Sequence, residues 1–303
     1  MRKDRLQKGM VGCLGILWAL VLLACGAPSP DPYFQQLRSR DPEERTRAAY
    51  ELLRFGNEIV PRLIQESGSD YTRVRYVVVQ LMGKVKDQRS VPTLIERLGD
   101  KSANVAAKAA WALAELQDPR ALGPLLQYAG DASKGVRSQV TRGLGTCHSY
   151  AAEPALSDSA YAMVFKALRD PTPAVRISAL LGIRSFGYRD ATEQIIRMSR
   201  DPAAEVRHVA VQALGQIAAG EAPGAAPVAA QRVRDNIFEA LIVSLDEPAY
   251  PTIRIKAVRA LELLADPRMV PYLEKLAAGG SEEDRREANR ALEKFHESAL
   301  ATK

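Results

Sequence analysis

The stretch Asp201–Ala218, DPAAEVRHVAVQALGQIA, decides the fold. Asp201 and Pro202 supply an acceptor for a helix N-terminus and a residue whose φ is pre-set for the first turn. Val206, Val209, Ala210, Ala213, Leu214 and Ile217 recur at spacings of three and four, which gathers them on one helical face. Gly215 sits late in that helix, where a small residue permits close packing or termination. The same pattern returns along the chain in both directions. Asp41, Asp70, Asp100, Asp131, Asp170, Asp201 and Asp246 follow one another at 29, 30, 31, 39, 31 and 45 residues. Soon after most of them comes a β-branched residue and an arginine: Thr46-Arg47, Val74-Arg75, Val136-Arg137, Val175-Arg176, Val206-Arg207 and, slightly later, Ile253-Arg254. A second apolar stretch follows, such as Val91–Ile95 or Val270–Leu273, before the next aspartate. Each unit reads as a helical hairpin, which buries its apolar face only by stacking on neighbours. No alternating apolar and polar run competes with this reading. The expectation is an all-α solenoid of about seven hairpins over residues 33–303, closed by the charged helix Glu282–Glu297 as a cap.

This pattern resembles the HEAT-repeat family, in the short form shared with bacterial phycobilin lyases. There the consensus runs Asp-Pro, Val-Arg, Ala, Ala-Leu-Gly and a second helix. The likeness extends over about residues 37–295. It implies that the repeated acids and arginines serve the turns between stacked units: Asp41, Arg47, Asp70, Arg75, Asp131, Arg137, Asp170, Arg176, Asp201, Arg207, Asp246 and Arg254. It also implies that the second helices line a concave face, on which Arg97, Lys166, Arg169, Arg197, Arg234 and Glu239 are the candidate partner-binding residues. Departures from the repeat carry their own expectations. Ala106 stands where an arginine belongs, so the ladder of turns breaks in the third unit. Insertions at Cys147–Tyr161 and Ala218–Gln231 map to loops on one face, where binding often resides.

The first segment reads as an address. Arg2, Lys3, Arg5 and Lys8 precede an apolar run of 15 residues, Met10–Ala24. A spanning helix needs about 20, so the run is short for a membrane anchor and right for a signal-peptide core. Its end, Leu22-Leu23-Ala24-Cys25, resembles the lipobox of bacterial lipoproteins. That resemblance implies removal of residues 1–24, lipidation of Cys25 and a tether over residues 25–32. Gly26 after the cysteine, rather than aspartate, implies the outer membrane, with the array in the periplasm. More than one acyl chain is what stable anchoring requires. Cys13 would leave with the signal and Cys25 would be acylated, so Cys147 is the one free thiol and no internal disulfide is expected.

Composition narrows the function. The 303 residues are 47% hydrophobic and 26% charged, ordinary for a folded chain. Of the net charge of +6, half belongs to residues 1–24, which leaves 38 basic against 35 acidic residues in the rest. That balance is too mild to point to nucleic acid. His148, His208 and His296 each lack a second ligand at metal spacing, so no metal and no cofactor is expected. Adjacent side chains diverge, so Cys147-His148 makes no catalytic dyad. Deoxyhypusine hydroxylases resemble this repeat but need several His-Glu pairs for iron, and this chain has one, His296-Glu297. Three readings stay open at this stage. A scaffold or binding module for another protein or peptide, held at the membrane by its lipid, leads. A phycobilin lyase-like enzyme and a nucleic-acid-binding HEAT protein are the alternatives.

Overall fold

The computed structural model describes residues 29–147, 153–187, 191–220, 227–247 and 250–301. The signal segment 1–24 and Cys25 lie outside the described residues, as do residues 148–152 and 221–226 of the two insertions. Every regular element among the described residues is helical. A short leading helix, α1 (Asp31–Gln36), is followed by seven hairpins. Their first helices are α2 (Pro42–Leu53), α4 (Thr72–Val85), α6 (Ala103–Leu116), α8 (Lys134–Cys147), α10 (Pro173–Ser185), α12 (Ala204–Ala218) and α14 (Pro251–Leu264). The second helices are α3 (Val60–Glu66), α5 (Val91–Arg97), α7 (Leu122–Gln127), α9 (Pro154–Ala167), α11 (Thr192–Met198), α13 (Pro227–Leu245) and α15 (Val270–Gly279). A final helix, α16 (Glu282–Ala301), closes the array. One core runs from Phe34 to Ala291, built from the apolar stripe of each helix.

Small residues set how closely the first helices stack. A Cβ on Gly83 would lie 2.7 Å from the Trp111 ring and 2.9 Å from Ala112, and one on Gly145 would collide with the backbone of Gly182. The glycine of the repeat therefore serves close packing between units rather than helix termination. Termination falls to other residues. Helices α4, α6 and α14 end on Lys86, Gln117 and Ala265, all left-handed, and each is followed by an aspartate that caps a single 3₁₀ turn. Asp87, Asp118 and Asp266 accept from the backbone N–H groups of Arg89, Arg120 and Arg268 at 2.8–2.9 Å.

A ladder of ion pairs joins the opposite turns. Arg75 donates to both oxygens of Asp100 at 2.7 and 2.9 Å, while its other nitrogen donates to the Ser69 and Asp70 carbonyls. The same arrangement links Arg137 to Asp170 (2.9 Å), Arg176 to Asp201 (2.6 Å), Arg207 to Glu247 (2.9 Å) and Arg254 to Asp284 (2.8 Å). Each arginine thus clamps its own turn and an acid of the next unit; the fit is bidentate at Arg75, Arg137 and Arg254 and a single bond at Arg176 and Arg207. At Ala106 the ladder is interrupted, and the Asp131 carboxylate accepts only from the Ser133 N–H among the bonds described.

Register corrects four of the expected turn residues. The clamp reaches the carbonyls five and six residues back, and in the first unit Arg45 makes those bonds, to Arg40 and Ser39 at 2.9 Å. Arg47 is exposed instead. The acid's place, two residues before the next helix's leading N–H, is taken by Ser39 and Ser69 in the first two units. Asp41 is displaced to the N-cap of α2, where it accepts from Glu43, and no arginine pairs with Asp70. Asp246 is exposed and its neighbour Glu247 holds Arg207. The insertions are also shorter than the sequence suggests, because α8 continues to Cys147, α9 begins at Pro154 and α13 begins at Pro227.

Candidate functional site

An open groove of about 1170 Å³ crosses the first helices of the first four units, α2, α4, α6 and α8, and the turns before them. Helical spacing builds its floor. Tyr76, Gln80 and Lys84 are four apart on α4, and Asn104, Lys108 and Trp111 share one face of α6. Tyr50 from α2 and Gln139 from α8 close the two ends. Four cations line it, Arg45, Arg73, Lys84 and Lys108, against one acid, Asp70.

The cations rest on aromatic rings. The Lys108 ammonium lies 5.1 Å from the Tyr76 centroid and 4.8 Å from that of Trp111. Lys84 lies 5.7 Å from the Tyr50 ring, and Arg73 lies 5.0 Å from that of Tyr71. Such contacts hold a flexible side chain in place without neutralising it. Arg45 and Arg73 spend donors on main-chain carbonyls, Arg73 on that of Arg38 at 2.8 Å. Among the described residues neither Lys84 nor Lys108 forms an ion pair. The Gln139 amide oxygen is buried and has no hydrogen-bond partner. A buried acceptor without a donor is costly, about 1–3 kcal/mol.

The second-helix residues expected to meet a partner differ in exposure and in the bonds they make. Lys166, Arg169 and Glu239 are exposed. Arg197 is exposed and donates to Gln194, which is itself buried. Arg97 is half-buried, held by Glu96 and by the Ser67 carbonyl at 3.3 Å. Arg234 donates to the Leu264 carbonyl at 2.7 Å and so ties α13 to α14. Sequence reasoning missed the groove because its aromatic residues stand at no fixed distance from the repeated aspartates. It also missed the second set of turn pairs, although Asp-x-Arg at 87–89, 118–120 and 266–268 is a visible signal.

Burial pushes the Cys147 thiol up to about 12, so it stays protonated in the packing against Leu113. His208 is lowered by burial and by Lys256. Among the described residues no three His, Cys, Asp or Glu side chains could hold a metal ion, and no helix is long and apolar enough to cross a membrane.

A family model for HEAT repeats matches residues 30–101, 60–145 and 161–245. The X-ray structure of YibA from Escherichia coli is similar at a TM-score of 0.64 and 20% identity, covering 89% of this chain and 93% of that one. An engineered protein is similar at a TM-score of 0.56 and 20% identity, covering 89% of this chain and 79% of its own. The complex of CpcE and CpcF of phycocyanin lyase from Nostoc is similar at 18% identity over 90% of this chain and 96% of that one; its TM-score of 0.48 carries no argument. No curated protein matches the sequence. These likenesses speak to fold, and the family match spans well over half of the chain: this protein belongs to the HEAT-repeat family.

Proposed function

We propose that this chain is a binding module of the bacterial cell envelope, tethered through a lipidated Cys25, that takes a segment of another protein into the groove over α2, α4, α6 and α8. One observation carries the reading. The groove presents aromatic rings and unneutralised lysines on the stacked first helices. Aromatic side chains mark the buried centres of protein interfaces, and extended grooves suit peptides better than small substrates. The high thiol pKa of Cys147 supports a binding role over a covalent one. The signal-like residues 1–24 and the Leu-Leu-Ala-Cys junction support the envelope and the tether, and make an enzyme of bilin attachment or a nucleic-acid partner the weaker readings.

Two measurements test it. Cells fed an alkyne fatty acid should label the wild-type protein and leave Cys25→Ser unlabelled; equal labelling would remove the tether. A photo-crosslinking residue placed at Tyr50, in the groove, should trap a discrete protein in membranes. The same residue at Lys166, on a second helix, should trap little. Trapping at Lys166 alone would move the binding to the second helices and end the groove reading.

A further inference from the structure

We propose that the occupant of the groove is an acidic peptide segment in extended conformation, its carboxylates on Lys84 and Lys108. This deepens the reading above and rests on it. Three observations point the same way. The lining holds four cations and a single acid, so its field favours a negatively charged occupant. Lys84 and Lys108 have no carboxylate of their own chain among the ion pairs described, and ring contacts fix both in place. Their ammonium groups are therefore positioned before a ligand arrives, which spares part of the ordering cost of binding.

An extended peptide turns every second side chain to one side, so an alternating acidic sequence presents its carboxylates to the groove. Dimensions agree as well. Four stacked helices at about 8–10 Å apart span roughly 25–30 Å, which an extended chain crosses in about eight residues. Single-stranded nucleic acid is the competing occupant of a groove with cations on aromatic rings, through stacking on those rings. Here the ammonium groups already lie over Tyr50, Tyr76 and Trp111, so those rings are not free platforms for bases.

Trp111 makes the test direct. Only Trp18 and Trp111 are present, so the full chain carrying Trp18→Phe in detergent reports the groove through one fluorophore. Titration with the ten-residue peptide (Glu-Gly)5 should change Trp111 emission saturably, and added salt should weaken the change. The peptides (Gln-Gly)5 and (Lys-Gly)5 should leave the emission unmoved. Lys84→Gln with Lys108→Gln should weaken (Glu-Gly)5 about ten-fold or more. Lys275→Gln, on exposed α15, should bind as the parent does, and the far-ultraviolet circular dichroism of all variants should coincide. No response to (Glu-Gly)5, an equal response to (Lys-Gly)5, or a tighter response to a ten-residue oligothymidylate would each overturn the acidic-peptide assignment. If that happened while the Tyr50 crosslink still trapped a protein, the groove would remain a protein site with a different chemistry. Failure of both would remove the site itself.

Discussion

Arg75 and Asp100 are the most enclosed rung of the ladder, with side chains 4% and 2% exposed. Burial on its own would raise the Asp100 pKa; the hydrogen bonds from Arg75 and the Ser102 N–H outweigh it, and the carboxyl ends below its ordinary value. Removing the arginine would leave a buried carboxylate unpaired, which costs about 3–5 kcal/mol. Arg75→Met should therefore lower the melting midpoint substantially at pH 7. The pH dependence has a definite sign. A carboxyl whose folded pKa lies below the unfolded value near 3.9 contributes stability that is complete above that value and is lost as pH falls through the folded one. Asp170 and Asp284 are depressed likewise, burial opposing and Arg137 and Arg254 prevailing, while Asp118 and Asp266 are depressed first by Arg120 and Arg268. Wild-type melting should accordingly fall steeply below about pH 4. In Arg75→Met the arginine no longer offsets burial at Asp100, whose folded pKa then lies above its wild-type value although the Ser102 N–H and Arg97 remain, so the gap between variant and wild type should narrow on going from pH 7 to pH 3. A gap that widened in acid would contradict the assigned role of Arg75.

At the scale of the element, the unit repeats because one arginine has a fixed geometric task. It must reach carbonyls five and six residues back and an acid on the next unit, and that task leaves a readable Val-Arg spacing in the sequence. Where two residues compete for the task the spacing cannot choose. Arg45 and Arg47 both follow Asp41, and Asp246 and Glu247 are adjacent, so the reading fell on the wrong member of each pair. The groove was illegible for a different reason. Which side chains of stacked helices converge depends on how each unit is rotated on its neighbour, and the sequence of one unit does not state that rotation. Tyr50 and Trp111 each stand five residues after the clamp position, Arg45 and Ala106, whereas Tyr76 follows Arg75 directly, and all three line the groove. Ala106 tests the logic of the repeat in reverse. It sits where the clamp belongs, six residues after Asp100, and the Asp131 carboxylate on the next unit has no arginine. Ala106→Arg should supply the missing rung and raise stability by about 0.5–2 kcal/mol, seen as a melting midpoint higher by a few degrees. Ala106→Leu is the control that adds bulk without the charge, and it should not stabilise. If both variants melt earlier than wild type, the close alanine packing of α6 governs that turn and the rung does not.

Across the whole molecule, stability is expected to be local, because each unit touches only its neighbours along the array. The C-terminal end makes this measurable. Helix α16 buries Ala288 and Ala291 against the last hairpin and gives Asp284 to Arg254, Glu287 to Arg259 at 3.0 Å, and Arg290 and Lys294 to Glu262 at 3.0 and 2.7 Å. A chain ending after Gly280 would expose that apolar seam and leave Arg254, 14% exposed, without its acid. The loss should fall on α14 and then α15, whose backbone amides should exchange with solvent much faster than in the intact chain. Protection in α4, α6 and α8 should stay as it was, since at least three units separate them from the cut and their own rungs and glycine contacts are untouched. The groove should consequently keep its Trp111 emission in the truncated protein. Hydrogen exchange read helix by helix decides the matter. Uniform loss of protection from α2 to α15 would mean that the array unfolds as one cooperative body, and the nearest-neighbour account of this solenoid would have to be given up.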